Sequence, residues 1–132
     1  MRVHAWNGTA WVQRGVDLDG EAAKDQSGLS VALSADGAIV AIGAPLNDGN
    51  GEDAGHVRVY AWTGIAWVRV GTDLNGEAKK DKSGTGVALS ADGRTLAIGA
   101  LENDGNGNKA GHVRVYVVQE HSPPTPPALP PP

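Results

Sequence analysis

The sequence predicts an all-β protein of the β-propeller repeat type, with about two four-stranded blades and therefore an incomplete propeller. Three observations predict it. First, Gly55-His-Val-Arg-Val-Tyr60 returns as Gly111-His-Val-Arg-Val-Tyr116, an offset of 56 residues. Second, residues 2–57 laid over 58–113 without a gap match at about two thirds of positions, which marks a tandem array. Third, 19 Gly with no Phe and one Met suit a turn-rich β protein better than a helix bundle.

The strands follow in order. Arg2 to Trp6 and Trp11 to Gly15 flank the four-residue link Asn-Gly-Thr-Ala. Asp17 to Gly28 is a loop, because Gly punctuates it too often for a helix interior. Leu29 to Ala35 and Ala38 to Ala44 flank Ser-Ala-Asp-Gly, a hairpin signal with Asp-Gly at its tip. A second loop, Pro45 to Gly55, leads to His56–Trp62 and Trp67–Gly71 around Thr-Gly-Ile-Ala. Three more strands span 85–118. Both alternating faces of Val40–Ala44 and of Leu96–Ala100 are apolar or small, so these strands are expected to be covered on both sides. In His56–Tyr60 one face is Val and the other is His, Arg and Tyr, which predicts a half-exposed strand. Trp67–Val70 answers to Trp11–Arg14, where an apolar position becomes Arg, as at an outer edge. Four strands graded from dry to wet describe a blade.

Tandem repeats therefore fill 1–119, and a Pro-rich, disordered tail or linker fills 120–132, where seven of the 8 prolines lie. Such a tract takes polyproline II form and serves as a spacer or a docking peptide. About two blades cannot close a ring that typically needs 4–8, so further blades in a longer chain or self-assembly of several chains is expected.

Ser27-Gly-Leu-Ser-Val-Ala-Leu33, Ala41-Ile-Gly-Ala-Pro45 and Gly55-His-Val-Arg-Val-Tyr60 together resemble the FG-GAP repeat of integrin alpha-subunit propellers. They are similar above all to calcium-loop-free FG-GAP-like repeats of large bacterial and algal surface or secreted proteins. The resemblance covers roughly 2–118; Ser27 and Ser83 depart from it where the family name expects Phe, and Leu101 where it expects Pro. It implies propeller blades, a protein-binding role and an extracellular or cell-surface location. No leader peptide is visible at Met-Arg-Val-His-Ala-Trp, and no apolar run is long enough to span a membrane.

The family's calcium loop does not carry over, because Ser34-Ala35-Asp36-Gly37 is too short to supply 6–8 oxygens. Read as an EF-type loop from Asp48, the stretch Asn47–Asp53 puts Asp53 where Gly is wanted and Val59 where a bidentate acid is wanted. Its twin, Asn103–Lys109, replaces the two acids with Asn108 and Lys109. No metal site and no cofactor is expected, and calcium is disfavoured. His56 and His112 fall in different units and lack a third ligand.

No catalytic residue is expected either. Asp17, Asp19, Glu21 and Asp25 recur as Asp73, Asn75, Glu77 and Asp81, and repeated residues ordinarily serve the repeat. No Gly-x-Ser-x-Gly elbow and no Cys is present. A net charge of -4 argues against nucleic acid, which wants a basic face.

The residues left for binding are Trp6, Trp11, Trp62 and Trp67, facing each other across two hairpins, and the loop residues Asn47, Asp48, Asn50, Asn103, Asp104 and Asn106. The expectation is a non-catalytic interaction or adhesion segment of a larger surface or secreted protein, presenting these groups to a protein or glycan. A structural spacer array, a carbohydrate-binding module built on the Trp hairpins, and a multi-chain propeller stay open beside it.

Overall fold

A computed structural model describes residues 1–118, in which every regular element is a strand. The tail expected at 120–132 lies outside the described residues. Ten strands follow one another: β1 (His4–Trp6), β2 (Trp11–Gln13), β3 (Ser30–Leu33), β4 (Ile39–Ala44), β5 (His56–Trp62), β6 (Trp67–Arg69), β7 (Leu74–Asn75), β8 (Ser83–Leu89), β9 (Thr95–Ala100) and β10 (His112–Val117). They form three antiparallel sheets: β1-β2, then β3-β4-β5-β6 with β7 also on β5, then β8-β9-β10.

Local side-chain chemistry sets the turns. Asp36 Oδ1 accepts hydrogen bonds from Ala38 N–H at 2.9 Å and Ser34 Oγ at 2.8 Å, and Ser34 Oγ accepts one from Ile39 N–H at 3.0 Å. Ser90 and Asp92 repeat the arrangement between β8 and β9. Asn7 Oδ1 and Thr63 Oγ1 do equivalent work in the Trp hairpins, each accepting from two backbone N–H groups of its link. The backbone also repeats in its strained positions. Lys24, Gln26 and Asp53 have φ of 68°, 58° and 52°, and Lys80, Lys82 and Lys109, one period later, have 64°, 55° and 54°.

Register then decides which side chains meet. Ile39 pairs with Ala61, Ala41 with Val59 and Gly43 with Val57, so this face of the second sheet points one way. It packs against Leu96 and Ile98 of β9, with Val87 and Leu89 of β8 beside them. The opposite face brings Val40 and Ile42 against Leu18, Met1 and Tyr60. Each fully buried aliphatic side chain here contributes about 1.5–3 kcal/mol of transfer free energy.

Three expectations need correction. β5 is partly exposed on its polar face at Arg58, Tyr60 and Trp62, but His56 on that face is 3 % exposed, because Glu21 from the preceding loop and Asp73 from the following one close over it. β9 is not covered on both sides, for only Leu96, Ile98 and Ala100 are buried, and on the other face Val113, Val115 and Val117 of β10 stand 67 %, 66 % and 81 % exposed. The loop after β6 contains β7, whose Leu74 and Asn75 pair with Val57 and His56.

Candidate functional site

Where one unit meets the next, charged side chains gather on the polar face of β5. Arg58, half-way along the strand, donates from Nε to Asp73 Oδ1 at 2.8 Å and from Nη2 to Asp73 Oδ2 at 3.1 Å. The same Nη2 donates to Glu21 Oε2 at 2.9 Å, reaching back 37 residues. Arg69 also pairs with Asp73. His56 Nδ1 lies 3.7 Å from Asp73 Oδ2 and 3.9 Å from Glu21 Oε2.

Burial pushes His56 below its usual range, and this outweighs the attraction of Asp73. The imidazole is therefore neutral at physiological pH, and its contacts with the two carboxylates are not ion pairs. The Arg58 hydrogen bond holds Asp73 below the ordinary carboxylate range. Glu21, His56 and Asp73 offer donor atoms within 4.8 Å of one another, the spacing of a cation site. Their two carboxylates already share the Arg58 guanidinium, so a divalent ion would have to displace a bidentate partner. The cluster is a closed joint.

The joint recurs along the chain. Arg2 Nε donates to Asp17 Oδ1 at 3.0 Å, and Arg114 pairs with Glu77 beside His112. Beneath it, Asn47 Nδ2 donates to Asp25 Oδ2 at 2.8 Å, as Asn103 Nδ2 does to Asp81 Oδ2. All four of these side chains belong to buried residues. Nothing here isolates one unpaired acid or base beside a nucleophile, as acid–base chemistry requires. The readable signal was the joint recurrence of Glu21, Arg58 and Asp73 at one offset; sequence reasoning treated the acids as turn formers and passed over the arginine.

The Trp residues face one another as expected, but the two pairs differ. Trp62 and Trp67 have ring centroids 5.2 Å apart and are half-buried. Arg14 lies 5.5 Å over the Trp62 ring, and Trp67 Nε1–H donates to the Arg14 carbonyl at 2.8 Å. This pair is therefore joined to the first sheet. Trp6 and Trp11, 5.5 Å apart edge to face, are 56 % and 68 % exposed.

The loop candidates divide in the same way. Asn47 and Asn103 are turned inward, each spending its Oδ1 on the backbone N–H of Gly49 or Gly105. Asp48 and Asp104 are exposed and accept from Asp53 N–H and Lys109 N–H. Asn50 and its twin Asn106 are both exposed, and Asn50 donates to the Gly76 carbonyl at 2.8 Å. A hollow of about 200 Å³ between the second and third sheets is lined by Val59, Val70, Leu74, Tyr116 and Val118 among others, and holds no pair of titratable groups. Among the described residues no helix is long and apolar enough to cross a membrane.

Residues 16–60 match the family model of the FG-GAP repeat. That segment, which carries β3, β4 and most of β5, is an FG-GAP repeat, and the fold is of the β-propeller type. No curated protein matches the chain.

Proposed function

We propose that the chain is a non-catalytic interaction segment of a surface or secreted protein, in which stacked sheets hold a Trp hairpin and the outer loops toward a protein or glycan partner. One observation carries this reading. Glu21, Arg58 and Asp73 are spent on each other at the joint, while the Trp6–Trp11 pair stands open to solvent. Two indoles on a rigid hairpin offer large apolar area at small entropic cost, which suits a sugar face or a protein patch. Asp48, Asp104 and Asn106 are exposed on their own loops and offer separate polar contacts.

Glycan and protein arrays probed with the intact chain test the reading. Trp11→Ala is expected to abolish retention while the circular dichroism spectrum is unchanged. Retention that survives this substitution, or a complete lack of saturable ligand, sinks it. A lack of ligand is what a spacer array predicts, and the inward-turned Asn47 and Asn103 favour that second reading.

A further inference from the structure

Asparagine recurs in the loops of this chain, but only Asn7 is followed two positions on by a hydroxyl, in Asn7-Gly8-Thr9. The other asparagines have Gly, Glu, Asn or Ala at that place. Asparagine, then any residue but proline, then serine or threonine is the pattern whose amide is selected for oligosaccharide attachment in secreted proteins. Asn47, Asn103 and Asn50 also spend their Nδ2 groups, on Asp25, Asp81 and the Gly76 carbonyl.

The triplet occupies the tip of the β1–β2 hairpin. Asn7 N–H donates to the Ala10 carbonyl at 3.1 Å and closes the link. Asn7 Oδ1 accepts from Thr9 N–H at 2.8 Å and from Ala10 N–H at 2.9 Å. The oxygen of the amide is thus used and its nitrogen is not. Among the described residues neither Asn7 Nδ2 nor Thr9 Oγ1 makes a hydrogen bond. Asn7, Gly8 and Thr9 are all exposed, and nothing lies near the place a Cβ on Gly8 would take. Both side-chain bonds span only two or three residues, so this cap can form before the sheets assemble.

Neighbouring structure does not close off such a tip. The second Trp hairpin has the same cap, with Thr63 Oγ1 accepting from Ile65 and Ala66 N–H. Its Trp pair is half-buried against Arg14, yet residues 63–66 stay exposed, Ile65 at 87 %. Cover over the indoles stops short of the turn. The twin also shows the cap without an acceptor, since Thr63 has no amide nitrogen in its side chain.

We infer that Asn7 is the acceptor amide for an N-linked oligosaccharide. The donor class is an oligosaccharide carried on a polyprenyl pyrophosphate. Asn7 Nδ2 attacks the anomeric carbon, and an N–C bond forms as the C–O bond to the pyrophosphate breaks. The lipid pyrophosphate leaves with that electron pair, and the amide proton passes to a base of the transferase. The two N–H donors on Oδ1 stabilise negative charge on the amide as the proton departs. The inference rests on the surface-or-secreted reading proposed above but needs no ligand on Trp6 and Trp11.

The test sends the full chain, behind a cleavable leader, through a eukaryotic secretory pathway and weighs the product. The parent is expected as a heavier species that peptide N-glycosidase returns to the polypeptide mass, converting the Asn7 amide to an acid. Asn7→Thr copies the twin's cap, so its circular dichroism spectrum is unchanged while the heavier species is lost entirely. Thr9→Ala loses it too, and Thr9→Ser keeps it in a smaller fraction of molecules. A parent secreted without a glycan overturns the inference, as does a heavier species that survives Asn7→Thr. A glycan on the translocated parent beside a bare chain from the natural source bears out the acceptor and strikes the surface-or-secreted reading alone. Array retention is read on chain made without the glycan, so a missing ligand leaves the mass shift untouched.

Discussion

Arg58 and Asp73 are joined by two hydrogen bonds, Nε to Oδ1 and Nη2 to Oδ2, in the bidentate arrangement that suits a guanidinium and a carboxylate. Arg2 and Asp17 make the first of these bonds 56 residues earlier, but with an Arg side chain 64 % exposed against 18 % for Arg58. One motif thus occurs in two dielectric settings.

Removing the arginine should therefore cost different amounts at the two sites. Arg58→Ala leaves Asp73 partly buried with only Arg69 as a charged partner and is expected to lose about 1.5–3 kcal/mol. Arg2→Ala should lose less than about 1 kcal/mol, because water screens the exposed pair. Urea unfolding of both variants decides the matter. Equal losses would mean that Arg58 contributes no more than a surface charge.

Stability should also decline in mild acid through His56. Burial places its folded-state value below the ordinary 6.5. Below that pH the unfolded chain takes up a proton that the folded chain refuses, so the stabilisation is complete above about 6.5 and is lost progressively as pH falls toward the folded value. Glu21, Asp73 and Arg58 face the imidazole, and the two carboxylates oppose the shift without reversing it. His56→Gln is expected to flatten the unfolding midpoint between pH 7 and 5. Asp73 acts lower down: its contribution holds above about 3.8 and falls away below. An unaltered slope in His56→Gln would show that another group governs this range.

Valines in the same motif should respond unequally to truncation. Val57→Ala removes two methyl groups from a site with 0 % exposure and is expected to cost about 1.5–3 kcal/mol. Val113→Ala, one period later and 67 % exposed, should change stability by no more than about 0.5 kcal/mol. Comparable losses would contradict the open face of the third sheet.

The buried amide–carboxylate pairs offer a fourth check. Asn47→Ala strips Asp25 of its amide partner inside the joint, and about 1–3 kcal/mol should be lost. Asn103→Ala should behave alike, since Asp81 is equally buried. Asp25→Ala in the Asn47→Ala background should restore part of the loss, because the unpaired carboxylate goes with it.

Much of the fold was legible because the chain states it twice. The 56-residue offset and the Ser-Ala-Asp-Gly turns located the hairpins around β3–β4 and β8–β9, and the Trp links located those around β1–β2 and β5–β6. Strand depth was legible only where cover comes from nearby. His56 read as half exposed because its lid, Glu21, arrives from 35 residues earlier, and no local pattern records that. The same His-Val-Arg-Val-Tyr string gives a buried Val57 and an exposed Val113, so exposure there belongs to the neighbouring sheet and not to the string. β7 escaped notice because a two-residue strand is too short to show periodicity. For the site, the Trp facing was readable, while the unequal cover of the two pairs depends on Arg14, which reaches the second pair across 53 residues.

Ser30 Oγ reaches the Gly84 carbonyl across 54 residues, and Trp67 reaches the Arg14 carbonyl across 53. Each joint thus closes a chain segment of nearly one period, wherever it falls along the array. Closure entropy depends on the length of the segment closed and not on how many segments precede it. Lengthening such an array by whole periods consequently adds joints of equal entropic cost, and the topology sets no penalty that grows with the number of copies.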